Sequence, residues 1–335
     1  MTRDAPAGRG EEASAPSFGG NKLPPDQQAA LHKAIRLEWA TIAVMVVTVA
    51  AVYAVSGQSQ AMKAAWLEDS LSFLPPIAFL IAIRVARASP SARYPYGRHR
   101  AVGIGHLVAS VALLSMGLFL VVDSGSGLLG GERPPLGVME VGGHVIWVGW
   151  PMVLVMALSC IGPVILGRMK TAPAEALHDK VLSADADMNR ADWQTGVATI
   201  AGVLGIGMGL WWADAVAALI VSVSILRDGA ANLRGAIAGL SDARPTGIDG
   251  TDPHPLIGEI DTALDTVTWA DDHGARVRDQ GHVFHVEAFL VPSGGQQVSV
   301  DMLDQVREML TALSWKLDDV VVTVVSTVHD EHRPS

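Results

Sequence analysis

Six long apolar segments, separated by short polar stretches, occupy the first two thirds of the chain. They cover residues 37–57, 66–86, 101–123, 145–166, 189–208 and 211–226. Most of them approach the roughly 20 residues that an α-helix needs to cross a bilayer. Their polar positions are too few to solvate the helices of a soluble bundle. The pattern therefore predicts an α-helical membrane protein with six transmembrane helices, of which the last two form a tight hairpin.

The pattern changes after the sixth segment to shorter elements of mixed period. Two stretches have helical spacing and three are alternating or rich in β-branched residues, as strands are. In chain order they are a helix at 254–266, strands at 274–280 and 283–292, a helix at 298–314 and a strand at 319–328. The order α-β-β-α-β is typical of a ferredoxin-like α+β domain, so we predict one at the C-terminus.

These patterns divide the chain into four parts. The first is rich in Gly, Pro, Ala and charge, which predicts disorder. The expected parts are a disordered cytoplasmic N-terminus at 1–34, the transmembrane domain at 35–228, a linker helix and loop at 229–252 and the cytoplasmic ferredoxin-like domain at 253–332.

The distribution of positive charge predicts how the helices are oriented. The net charge is −10 and the mean hydropathy is +0.32. The connections between segments 2 and 3 and between segments 4 and 5 are basic, whereas the 1–2 and 3–4 loops carry only Lys63 and Arg133. The basic residues are Arg84, Arg87, Arg93, Arg98, Arg100, Arg168, Lys170 and Lys180. The positive-inside rule places both termini in the cytoplasm, as expected for a multi-pass protein of the plasma (inner) membrane.

An acidic stretch, DADMNRAD at 185–192, opens the fifth apolar segment. A carboxylate at membrane depth costs roughly 2.5–3.5 kcal/mol on insertion scales, so such a group usually has a function. Asp185, Asn189 and Asp192 recur at i, i+4 and i+7 and therefore share one helical face. We expect that face to hold a cation.

Several motifs, in this order and spacing, resemble those of one transporter family. They are LEDSLSF at 67–73, YPYGRHRA at 94–101, SADADMNRAD at 183–192, WWADAVAALIVSVSIL at 211–226 and GHVFHVEAFLVP at 281–292. Over residues 35–330 the chain resembles the cation diffusion facilitator family of divalent metal/proton antiporters. The resemblance implies six membrane helices, cytoplasmic termini and a ferredoxin-like domain through which two copies form a homodimer.

The resemblance also implies a transport site with two ligands from helix 2 and two from helix 5. Those positions hold Asp69 and Phe73 on helix 2, and Met188 and Asp192 on helix 5. Two of the four thus keep a carboxylate, one is a phenyl ring and one is a thioether.

The residues around these positions suggest a cation site rich in oxygen. Its candidate ligands are Asp69, Ser72, Asp185, Asn189 and Asp192, with Met188 as an optional soft ligand. Such a set suits Mn²⁺, Mg²⁺ or Fe²⁺ better than Zn²⁺, whereas the family resemblance favours Zn²⁺, and both alternatives stay open. Pro75 and Pro76 predict a kink or break in helix 2 just past Asp69.

Two further positions correspond to functional positions of the family. His273 matches a regulatory-metal position in the cytoplasmic domain, and we expect a weak metal there with Asp271 or His285. Arg100 and Asp242 match the residues of a charge interlock between the two domains.

The favoured function is efflux of a divalent metal ion (Zn²⁺, Mn²⁺ or Fe²⁺) in exchange for protons, with the metal held between helices 2 and 5. The alternative is a transport-deficient regulatory or heterodimer subunit, because Phe73 and Met188 replace ligands. An enzyme is not expected, since the chain has no nucleophile elbow, Gly-rich phosphate loop or zincin motif, and nothing in it resembles a nucleic-acid-binding stripe.

Overall fold

A computed structural model describes the two parts of the molecule over most of the chain. The described residues are 23–56, 70–131, 137–141, 144–248, 250, 252–294, 296–317 and 319–333. A helical membrane domain is followed by a small C-terminal domain built on a sheet. Asp69, a predicted ligand, lies outside the described residues.

The membrane domain contains long apolar helices that correspond to the predicted segments. The helices are α1 (Pro25–Ser56), α2 (Leu74–Ala86), α3 (Ala101–Gly130), α4 (Gly149–Leu177), α5 (Lys180–Gly207) and α6 (Ala213–Leu240). By length and composition, four candidate spans lie in the described residues, within α1, α3, α4 and α6. Among the other two, α2 is apolar but short, and α5 carries the acidic stretch in its first half.

Helix 2 is interrupted where the sequence predicts it. Ser70 and Leu71 are helical, Ser72 and Phe73 form a turn, and α2 begins at Leu74. The two prolines stand in the first turn of α2, where their missing N–H groups have no intrahelical partner in any case. The break leaves Ser72 at an irregular point of the backbone that faces α5.

Small residues allow α3 and α6 to approach closely. A Cβ atom on Gly229 would lie 2.8 Å from the backbone of Leu114, and one on Gly117 would lie 3.0 Å from the backbone nitrogen of Leu226. Such contacts are typical of helix pairs in membranes, where packing replaces the hydrophobic effect as the driving force. This pair supports the acidic helix α5 on one side.

A short antiparallel hairpin precedes α4, with strands β1 (Val138–Val141) and β2 (His144–Trp147). The sequence analysis predicted no strands in this connection and placed the start of the fourth segment at residue 145. The observed helix starts at Gly149, so the first residues of that apolar segment belong to β2.

The C-terminal domain has the predicted order of elements. They are α7 (Leu256–Leu264), β3 (Ala270–Asp279), β4 (Phe284–Pro292), α8 (Val300–Leu313) and β5 (Asp319–Val324). The sheet order is β3-β4-β5, with β3 and β4 antiparallel and β4 and β5 parallel. The helices bury Ile260, Leu264 and Leu310 in a common core with Phe284 and Val286 of β4.

The boundary expected between residues 228 and 229 falls inside a continuous helix. α6 runs without interruption to Leu240, so the membrane helix and the predicted linker helix are one element. Beyond it, Lys180 at the start of α5 forms an ion pair with Asp279 at the end of β3, at 3.0 Å. The C-terminal domain is therefore connected to the membrane helices both through the chain and through side-chain contacts.

Candidate metal site

A direct hydrogen bond joins helix 2 to helix 5 at the predicted site. Ser72 Oγ donates to Asp192 Oδ1 at 2.8 Å. Ser72 is buried at the break before α2, and Asp192 is half-buried on the fourth turn of α5. A hydroxyl and a carboxylate from two helices thus face each other at a point where helix 2 has irregular backbone. This is the kind of position at which membrane transporters bind ions.

The two family positions without a carboxylate are filled by apolar packing. Met188, one helical turn before Asp192, is buried in a cluster formed by α3, α5 and α6. Its neighbours there are Ala112, Leu113, Met116, Leu120, Ala191 and Ile225. Phe73 is half-buried at the N-cap of α2. The thioether therefore packs mainly as a core side chain.

Asp185 and Asn189 take part in a different group of side chains. Lys170 Nζ on α4 forms an ion pair with Asp185 Oδ2 and a second with Glu38 Oε2 on α1, the latter at 3.1 Å. Asn189 Nδ2 donates to the backbone oxygen of Asp185 at 2.8 Å. The carboxylate of Asp185 is thus neutralised by a fixed cation, about 10 Å of helix rise from Asp192. The predicted stripe divides into two sites along one helix.

Sequence reasoning missed Glu38 and misplaced Lys170. It counted Lys170 among the cations of the loop between segments 4 and 5, but the structure places it inside α4, fully buried. Glu38 is likewise fully buried. The available signal was a lone acid in the first apolar segment, whose cost in a membrane demands a partner.

The opposite side of α5 carries a second polar network. Asp187 accepts hydrogen bonds from Arg190 at 2.9 Å and from Asn232 of α6 at 3.0 Å, and Arg190 also pairs with Asp228 at 2.9 Å. His106 of α3 lies 3.4 Å from the amide oxygen of Asn232. These contacts fix the rotation of α5 relative to α3 and α6.

The N-terminus of α5 is anchored to the C-terminal domain by a buried carboxylate. Asp179 caps the helix by accepting from the backbone N–H groups of Val181 and Leu182 at 2.9 and 3.0 Å, and it contacts His282 Nε2 at 2.6 Å. Burial alone would raise the pKa of Asp179, but the bonds from His282 and the two N–H groups outweigh it and lower the pKa. The helix with the candidate ligands is therefore coupled directly to the β3–β4 loop.

The domain interface also contains the contact expected from the charge interlock. Arg100, at the N-cap of α3, forms an ion pair with Asp242, just past the end of α6, and donates to the backbone oxygen of Leu240 at 3.2 Å. The pairing is confirmed, with both side chains partly exposed.

His273 lies beside two acids that the sequence analysis did not associate with it. Its Nε2 is 3.3 Å from Asp261 Oδ1 and 3.8 Å from Asp265 Oδ1, both on or next to α7. These three groups could share one metal ion, because their ligand atoms lie within 4.8 Å of one another. The expected partner Asp271 instead accepts from Ser293 at 2.7 Å.

His285, the other expected partner of His273, lies between two carboxylates of the same sheet. Its Nδ1 is 2.5 Å from Asp319 Oδ2 on β5, and its Nε2 is 3.0 Å from Glu287 Oε1 on β4. The hydrogen bond with Asp319 raises the pKa of His285 more than partial burial lowers it. The imidazole thus links two strands through both of its nitrogens, and the ring is not available to His273.

Comparisons with known proteins agree with this architecture. Residues 38–241 match the profile of the cation efflux transmembrane domain. The manganese efflux system protein MneS of Bacillus subtilis is 23% identical over 169 residues, 50% of this chain and 54% of that protein. The uncharacterized transporter YdbO of Bacillus subtilis is 26% identical over 171 residues, 50% and 54% of the two chains. An uncharacterized transporter of Methanocaldococcus jannaschii is 28% identical over 148 residues, 44% and 48%. The chain spans about half the length of the curated relatives it matches.

Proposed function

We propose that this chain, which belongs to the cation diffusion facilitator family, exports a divalent metal ion in exchange for protons. The match to the cation efflux transmembrane domain covers more than half of the chain. The family consists of cation efflux transporters, so the protein is a membrane transporter and not an enzyme. In the proposal it is a homodimer in the plasma membrane with six crossings, cytoplasmic termini and a ferredoxin-like cytoplasmic domain.

The contact between Ser72 and Asp192 is the observation that supports the proposal best. It brings together a hydroxyl from the break in helix 2 and a carboxylate from helix 5 at 2.8 Å. We take Asp69, Ser72 and Asp192 as the metal ligands, with Met188 as a weak fourth group. Asp185 and Asn189, which were predicted as ligands, we leave out because Lys170 already neutralises that carboxylate.

Carboxylates explain how metal release is coupled to protons. Ionised Asp69 and Asp192 attract a divalent ion, and protonation of either carboxyl removes a ligand, so protons and metal compete for the same atoms. Movement of helices 2 and 5 relative to the rest of the bundle then exposes the site to one side of the membrane at a time.

The donor set favours Mn²⁺ as the transported ion. Oxygen ligands suit Mn²⁺ better than Zn²⁺, which prefers imidazole and thiolate, and one relative is named a manganese efflux protein. Zn²⁺ and Fe²⁺ are the ions to compare with it. A regulatory metal at His273, Asp261 and Asp265 is part of the same proposal.

The test is metal uptake into inside-out vesicles under a pH gradient, with Mn²⁺, Fe²⁺, Zn²⁺, Co²⁺ and Cd²⁺ offered in competition. Asp69→Ala and Asp192→Ala should each abolish uptake, whereas Asp26→Ala, at an exposed acid near the start of α1, should leave it intact. Uptake that survives Asp192→Ala would contradict the proposed site.

The packing of Met188 in an apolar cluster favours a second candidate, a regulatory subunit that no longer transports. Absence of flux of every ion in the wild-type protein, together with its capture of an active relative in the membrane, would support that reading.

A further inference from the structure

Three charged side chains from three helices meet inside the membrane domain. Lys170 of α4 bridges Glu38 of α1 and Asp185 of α5, and at most 1% of each of the three side chains is exposed. We call Glu38, Lys170 and Asp185 the buried charge cluster. Each buried ion costs several kcal/mol unless it is fully paired. The charges within the cluster should therefore balance.

The charges do not balance when every group is ionised. Two carboxylates share one ammonium, which leaves a net charge of −1 in a site without solvent. Apolar side chains separate the cluster from the turn between α4 and α5, among them Leu31, Ala34, Ala174, Leu177 and Val181. A single bound proton would make the cluster neutral, and neutrality is what burial in a low dielectric favours.

The hydrogen bonds indicate which carboxylate takes the proton. Asp185 Oδ2 faces Lys170 and is within 3.5 Å of the Asn189 amide, so two groups stabilise its negative charge. Glu38 accepts from Lys170 through Oε2, and its carboxyl group also lies against the carboxylate of Asp185, a like charge when both are ionised. Its second oxygen, Oε1, is buried and accepts no hydrogen bond from a donor in the described part of the chain. An ionised Glu38 would therefore leave negative charge on a buried oxygen without a donor, whereas a protonated Glu38 is neutral.

We propose that the buried charge cluster is a second proton-binding site, separate from the metal carboxylates, and that Glu38 carries its proton. Within the described residues, the charged groups that act on Glu38 are Lys170 of α4 and Asp185 of α5. From α2, which also packs against α1, the apolar Phe79 and Ile83 contribute to the neighbouring core. Lys170 stays positive, since it donates to the carboxylate of Asp185 and to Oε2 of Glu38.

The proton site rests on the proposed function for its role in transport. α5 carries both Asp185 and Asp192, so a movement of α5 that opens the metal site also displaces Asp185 from Lys170. The ammonium then has only Glu38 as a partner, which favours the ionised carboxylate and release of the proton. In this way the position of one helix is coupled to both the metal and a proton.

The experiment is infrared difference spectroscopy of the full-length protein in lipid nanodiscs, titrated with pH in the absence of metal. Wild-type protein should show the C=O stretch of a buried carboxylic acid at neutral pH. Glu38→Gln should lose that band, and Glu38→Asp should shift it. Asp192→Asn should keep it, which separates the cluster from the metal site. Glu175→Gln changes an exposed acid on α4 and should leave the band unchanged.

Two outcomes would overturn the proposal: a wild-type spectrum without the band, or a Glu38→Gln spectrum that retains it. Gln has the shape of a neutral Glu, so this variant should fold, and the Glu38→Asp shift provides an independent assignment if it does not. Metal uptake by the same samples keeps the two proposals apart. Flux without the band refutes only the proton site, and the band without flux refutes only the transport function.

Discussion

Contacts between a basic and an acidic side chain occur in both domains at similar distances but in opposite surroundings. In the membrane domain, Lys170 and Glu38 are 3.1 Å apart and neither side chain is exposed. In the C-terminal domain, Arg307 and Asp304 are 3.0 Å apart on the surface of α8, with 25% and 52% of their side chains exposed. Because water screens the second pair and not the first, equal distances correspond to very different energies.

The difference shows why buried charge suits a transporter. On the surface, water screens a charge that is lost or gained, so the rest of the structure is unaffected. In the buried charge cluster every change of charge must be balanced by another group, a proton or a shift of a helix. Four substitutions test this contrast, from the largest expected effect to the smallest.

Lys170→Met should cause the largest loss of stability. It leaves the buried carboxylate of Asp185 without its cation and removes the donor to Glu38, and breaking a buried pair in this way typically costs about 3–5 kcal/mol. Unfolding in mixed detergent micelles measures the loss. Arg168→Met removes an exposed cation from the same helix and should have little effect.

Charge balance gives this prediction a second test. Adding Glu38→Gln and Asp185→Asn to Lys170→Met removes every charge of the cluster and should recover much of the lost stability. If Lys170→Met and Arg168→Met lose the same amount of stability toward unfolding, burial does not control how much each cation contributes.

Asp179→Ala should have an intermediate effect, since Asp179 is buried but uses hydrogen bonds instead of a fixed cation. Loss of a helix N-cap costs about 1–2 kcal/mol, and His282 loses its partner as well. Asp179→Asn keeps a cap acceptor and should cost less.

The contribution of the Asp179 carboxylate should not vary with pH in the physiological range. The pKa of Asp179 is lowered in the folded protein, so its contribution is present above the unfolded value and is lost only as the pH falls through the folded pKa. Thermal unfolding at several pH values checks this, and a loss near neutral pH would contradict the assignment.

The sequence predicted the elements better than their partners. The hydrophobic pattern located the long apolar helices and the α-β-β-α-β order, and the two prolines located the break at Pro75 and Pro76. Period also placed Asp185 and Asp192 on one face of α5, but it does not say which neighbouring helix faces each turn. That depends on packing between elements distant in the chain, such as α1 and α4, so Glu38 was missed and Asp185 was assigned to the metal.

The same limit applies to the C-terminal domain. His273 was correctly placed on the first strand, and the acids near it in sequence were the natural candidates for its partners. A register shift between Ala270 and Asp272 interrupts the alternation of β3, and Asp271 accepts from Ser293, while α7 brings Asp261 and Asp265 to His273 from across the domain. Proximity along the chain was the wrong guide because the contact is made between a helix and a strand.

His285→Gln should make the stability of the C-terminal domain less dependent on pH. The pKa of His285 is raised above its ordinary value, chiefly by Asp319. Its stabilising effect is therefore complete below the unfolded pKa of about 6.5 and is lost as the pH rises through the folded pKa. We expect the stabilisation by His285 to be smaller by on the order of 1 kcal/mol at a pH above the folded pKa than at a pH below the unfolded pKa. The value is modest because water still reaches part of the site.

Differential scanning calorimetry of the full chain on either side of the window measures this difference. His329→Gln, at an exposed histidine near the C-terminus, is the matched control and should leave the pH profile unchanged. If wild type and His285→Gln lose stability in parallel as the pH rises, the imidazole is not protonated in the folded domain.

Arg307→Gln should have the smallest effect, about 0.2–0.5 kcal/mol, as for exposed pairs three residues apart on a helix. Gln has nearly the helix propensity of Arg, so the substitution removes the charge without altering the backbone preference. Asp304 stays hydrated after the change, and the remaining loss should vanish in high salt. A salt-independent loss as large as that of Lys170→Met would show that this face of α8 is covered in the assembled protein. Both contacts would then be shielded from water, and the contrast between the two domains would disappear.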